Sequence, residues 1–75
     1  MITIESFVYS LHAVQRMDGF GLTRKEIEIA VKKGMKWKEE HRDIWHASMG
    51  NIEVVFRKIK DVIFIITVYV DRRIK

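Results

Sequence analysis

The sequence predicts an α+β domain in which two short N-terminal helices pack on a four-stranded antiparallel sheet. Three observations carry that reading. A capping box at Thr23–Glu26 opens a helix that Gly34 stops, residues after Gly34 run in strand-like alternation, and Val62 to Val70 is apolar on both faces.

Seventy-five residues allow one domain, spanning 1–75. At this size only ~60% of the unfolded chain's surface is buried, so the core is marginal. The chain has no cysteine, so neither disulfides nor thiolate-bound metals can reinforce it. A hydrophobic content of 48% lets packing alone carry stability, and a homodimer would extend the core further.

Fourteen Lys and Arg against ten Asp and Glu give a formal charge of +4, which favours an anionic partner such as RNA, DNA or an acidic protein. Met1 to Glu5 lack the basic and apolar regions of a signal peptide. The longest apolar run, Val62 to Val70, is far short of the ~20 residues that span a bilayer as a helix. The expectation is a soluble cytoplasmic protein without membrane contact.

Ile2 to Glu5 alternates and reads as a short edge strand or the lead into the first helix. Ser10 can cap a helix from Leu11 to about Asp18, its hydroxyl accepting a free backbone N–H. Leu11, Val14 and Met17 share an apolar face there, while His12 and Arg16 stand together on another. Gly19-Phe20-Gly21 breaks this helix. The second runs from Arg24 to about Lys33 and buries Ile27, Ala30 and Val31. Strands follow at Met35–Glu39, Asp43–Met49, Ile52–Ile59 and Val62–Val70, with hairpin loops at Gly50-Asn51 and Lys60-Asp61.

Hairpin register sorts the faces, because cross-strand partners lie on the same side. One face collects Trp45, Ala47, Met49, Ile52, Val54, Phe56, Ile63, Ile65, Thr67 and Tyr69 as a bed for the helices. The other carries Ile44, His46, Ser48, Glu53, Val55, Arg57, Phe64, Ile66 and Val68. A bulge in either strand would invert these assignments.

His46, Glu53 and Arg57 are the first candidate site. RNA cleavage without metal needs a base for the 2′-hydroxyl, an acid for the leaving oxygen and a cation on the phosphate. His or Glu can fill the first two roles and Arg the third; a solvated sheet face with cross-strand charge pairs is the plainer alternative. His12 and Arg16, one helical turn apart, can grip a phosphate or simply decorate a helix surface. Lys32, Lys33, Lys36 and Lys38 around Trp37 suit a nucleic-acid groove, charge for the backbone and a ring for stacking, unless Trp37 is core. His12, His41 and His46 contain no pair at the helical zinc spacing, so no metal site is expected, even with Glu39, Glu40 and Asp43 near His41. No P-loop, dinucleotide fingerprint or GxSxG is present, and no cofactor is expected.

The segments Ser10-Leu11-His12-Ala13-Val14-Gln15-Arg16-Met17, Gly21-Leu22-Thr23-Arg24-Lys25-Glu26-Ile27 and Ile65-Ile66-Thr67-Val68-Tyr69 resemble a group of small prokaryotic domains of unknown function. That group shares a Ser-x-His-Ala-x-x-Arg-Met helix and a closing Thr-Val-Tyr strand, and is placed near the RelE, ParE and BrnT-like toxins. The resemblance implies a RelE-like fold, with His12, Arg16 and Tyr69 as its marking polar positions. It implies a toxin-like, metal-independent endoribonuclease acting on RNA, alone or at the ribosome, and an acidic antitoxin as partner. A non-catalytic module binding nucleic acid or protein is the alternative within the same fold. Relatives often carry an arginine where Phe20 stands here, which removes a phosphate-binding group if that arginine binds phosphate.

Overall fold

The computed structural model describes Ser6 to Asp71, and the edge strand expected at Ile2–Glu5 lies outside the described residues. In chain order the elements are β1 (Ser6–Tyr9), α1 (Leu11–Phe20), α2 (Arg24–Lys33), β2 (Met35–Lys38), β3 (Trp45–Met49), β4 (Ile52–Ile59) and β5 (Val62–Val70). They build a five-stranded sheet in the order β1-β5-β4-β3-β2. The last four strands pair antiparallel as expected, but β1 adds to β5 in parallel, so the sheet is mixed rather than four-stranded and antiparallel. Within β1, Phe7 and Tyr9 turn toward the core while Ser6 and Val8 are exposed.

Ser10 caps α1 by accepting the Ala13 N–H at 2.9 Å. The helix continues through Gly19 to Phe20, two residues beyond the expected end, because Gly21 is the residue that adopts the left-handed φ of 73°. The N–H of Leu22 then returns to the Met17 carbonyl at 2.8 Å, closing the helix end. In α2 the capping box forms as its residues require. The Thr23 N–H reaches the Glu26 carboxylate at 2.9 Å, and the Glu26 N–H donates to the Thr23 hydroxyl at 3.2 Å.

Gly34 stops α2 for a packing reason. A β-carbon there would lie 2.5 Å from the carbonyl oxygens of both Ala30 and Ser48. The helix end and β3 approach too closely for any side chain. The core sits between the helices and one sheet face: Ala13, Met17, Ile27 and Ala30 pack on Ala47, Val54, Phe56, Ile63, Ile65 and Val68. Among the described residues no helix is long and apolar enough to cross a membrane.

The β4–β5 register changes midway. Phe56 pairs with Ile65, but Val55 pairs with Thr67, so Ile66 is an extra residue on β5. This bulge corrects the expected faces beyond it. Val68 turns to the helices and is fully buried, while Thr67 and Tyr69 share the open face with Val55 and Glu53. It also turns two successive carbonyls toward α1: Ile65 accepts from the Ser10 N–H at 3.0 Å and Ile66 from its hydroxyl at 2.7 Å.

Candidate functional site

His46 lies in mid-β3 on the face away from the helices, its side chain 15% exposed. Its Nδ1 is 2.8 Å from Glu53 Oε2 and its Nε2 is 2.7 Å from Glu39 Oε2. Glu53 is supplied by β4, opposite Ser48 and diagonal to His46. Glu39 stands just past β2, where its N–H donates to the Ile44 carbonyl at 2.9 Å. Each ring nitrogen faces one carboxylate oxygen, an arrangement that favours the form in which both nitrogens carry a proton. Burial of the ring pulls its pKa down, but the hydrogen bonds and charges of Glu39 and Glu53 outweigh it and hold it above the ordinary 6.5.

Trp37, the register partner of His46 on β2, stacks on the imidazole with ring centres 5.2 Å apart and planes 6° from parallel. Trp37 is 42% exposed, so it belongs to the surface rather than to the core.

The bulge brings Tyr69 beside this cluster. In an unbroken register Tyr69 would face the helices opposite Ile52; instead it pairs with Glu53, the residue that holds His46. Arg16 reaches Tyr69 from α1, its guanidinium 5.0 Å from the ring centre. The same guanidinium lies 5.6 Å from the Phe20 ring, and Nε donates to the Val68 carbonyl at 3.1 Å. Among the described residues, Ser10 and Arg16 thus serve the part of the β5 edge that β1 does not reach, donating to the Ile66 and Val68 carbonyls in place of a strand. Arg16 is in part a structural clamp at the β5 edge, its guanidinium held near the Tyr69 and Phe20 rings.

The other expected site residues divide. His12 is exposed on α1 one turn before Arg16. Arg57 lies on the open face with Nη2 3.8 Å from Asp43 Oδ2. Lys33 is exposed at the end of α2. Lys36 and Lys38 pair with Ala47 and Trp45, so strand alternation sends them to the helix side, away from Trp37. The basic stretch does not form one groove around the tryptophan. Lys36 Nζ instead donates to the carbonyls of Lys32 and Gly34 at 3.2 and 3.0 Å, where it meets the negative end of α2. With Lys32 and Lys58 it rims a shallow groove of about 230 Å³ over Val31, Phe56 and Ile63.

Sequence reasoning missed Glu39 as a partner of His46. The signal was present: a β2–β3 hairpin with a loop of residues 40–43 sets position 39 two residues along the ladder from Trp37. Among the described residues no set of three or more His, Asp or Glu side chains is arranged to hold a metal ion. His41 sits exposed beside Glu40 at 3.8 Å.

Fold and site together define a small α+β domain with one helix-covered sheet face and one open, histidine-centred face. The family described as "Domain of unknown function (DUF4258)" matches residues 9–70, and the chain belongs to it. No curated protein and no solved structure matches the chain.

Proposed function

We propose that this domain is a toxin-like, metal-independent endoribonuclease of the RelE and BrnT-like kind, acting in the cytoplasm on RNA laid across the open sheet face. The observation that carries the reading is the continuous track from Trp37 through His46, Glu53 and Tyr69 to Arg16. Such a track supplies what the chemistry needs. The ribose 2′-oxygen attacks the adjacent phosphorus, the bond to the 5′-oxygen breaks, and a cyclic phosphate remains. Glu53, partly exposed, takes the 2′-hydroxyl proton, and His46, kept protonated by its carboxylates, donates one to the leaving oxygen. Arg57 and Arg16 carry the phosphate charge, Trp37 stacks a base, and His12 adds a hydrogen-bonding group one turn before Arg16.

One observation favours a second reading, a non-catalytic binding module. Both nitrogens of His46 are already engaged, so substrate must displace a carboxylate before proton transfer. Purified protein incubated with RNA in EDTA, alone and on translating ribosomes, separates the two. Cleavage that is lost in His46→Ala and in Glu53→Gln, with the fold retained, supports the nuclease. Salt-sensitive binding without any cleavage supports the module. Full activity in both variants removes this cluster from the reaction. An acidic antitoxin encoded beside the protein would accompany the nuclease reading.

A further inference from the structure

Among the described residues the strand β2 ends the sheet and pairs only with β3, and all four of its residues are exposed. The direction of its free backbone groups follows from the ladder. Antiparallel partners alternate between hydrogen-bonded and non-hydrogen-bonded pairs. The Glu39 N–H bonds the Ile44 carbonyl, so Trp37–His46 is also a bonded pair, and the N–H and C=O of Lys36 and Lys38 point away from the sheet. Met35 and Trp37 lie on the open-face side of this edge, 74% and 42% exposed. The lysines lie on the other side, and no carboxylate forms a salt bridge with either among the described residues.

We infer that β2 is a docking edge for an extended segment of a partner protein in which acidic residues alternate with apolar ones. Added as a sixth strand, such a segment bonds the outward backbone groups of Lys36 and Lys38. Its residues opposite the lysines share their face and meet positive charge, while the intervening residues share a face with Met35 and Trp37. The pattern selects the occupant. A second copy of this chain would set lysine against lysine in each face-matched antiparallel register that pairs Lys36 or Lys38 of one copy with Lys36 or Lys38 of the other, the arrangement by which edge strands resist self-pairing. The outward N–H and C=O groups alternate at strand spacing, which a second extended polypeptide matches and a phosphate backbone, which offers acceptors only, does not. This inference does not depend on RNA cleavage by the open face.

The test is amide-resolved titration of the intact chain with a short capped peptide alternating glutamate and valine, and with its lysine–valine counterpart. The account expects shifts at the Lys36 and Lys38 amides and the Trp37 indole with the acidic peptide alone. Lys38→Pro removes an outward N–H and no ladder bond, so the fold should persist while affinity falls about tenfold. Lys38→Glu should weaken the acidic peptide and favour the lysine peptide. Absence of binding at millimolar peptide overturns the proposal. So do shifts confined to Lys32 and Lys58, unchanged affinity in a folded Lys38→Pro, or self-association through the same amides without peptide.

Discussion

On the helix-covered face of the sheet, Phe56, Ile63 and Ile65 are at most 1% exposed and make contact only through packing. On the open face, His46, Glu53 and Tyr69 stand in neighbouring positions on three strands, with His46 and Glu53 hydrogen-bonded to each other and Glu53 and Tyr69 partly solvated. The first arrangement stabilises by removing apolar area from water, at about 25 cal/mol per Å². The second spends buried surface on charges, which the fold tolerates because the imidazole and both carboxylates satisfy one another. One face therefore sets stability and the other carries the groups available for chemistry.

Substitutions can break that division. Phe56→Ala should cost about 3–5 kcal/mol in chemical denaturation, a large fraction of the stability of a domain this small. Gly34→Ala should cost about 1–3 kcal/mol, because the helix end must move off Ser48 to admit a methyl group. Arg16→Ala should cost about 1–2 kcal/mol through the lost Val68 bond and ring contacts, and Arg16→Lys should recover only part of it. Trp37→Ala, on the open face, should cost only about 1 kcal/mol.

His46 sharpens the contrast through pH. Its folded-state pKa is raised, so the stability it contributes is fully present below 6.5 and is lost as pH rises through the folded value. Unfolding free energy measured across neutral pH should fall with rising pH in the native chain, and His46→Gln should flatten the slope. A slope that survives the substitution would assign it to another group. The smallest expected effect is favourable: Lys60 adopts a φ of 54° in the β4–β5 turn, and Lys60→Gly should gain roughly 1 kcal/mol.

Much of the fold was legible because local chemistry decided it. The Thr23–Glu26 box and Gly34 bounded α2, and Gly50, with its φ of 62°, set the β3–β4 hairpin. The pairing of His46 with Glu53 followed from that hairpin. What was not legible depends on distant partners. Strand β1 is only four residues long, and its parallel partner β5 lies at the other end of the chain. The Ile66 bulge has no glycine to mark it; it is stabilised by Ser10 and opens the β5 edge to Arg16, both on another element. That one residue decides whether Tyr69 lies among the helices or beside Glu53, so the site could not be assembled from hairpin register alone. Lys36 and Lys38 erred differently: alternation along a strand already separates them from Trp37, and clustering in sequence obscured it.

The claim that the open face is the functional one is tested most directly by titrating the protein with single-stranded RNA while following its amide and side-chain signals. The account predicts salt-sensitive shifts at Trp37, His46, Glu53 and Tyr69, with Lys32 and Lys58 on the helix side unaffected. Shifts centred on those two lysines, or no binding at low salt, would contradict it.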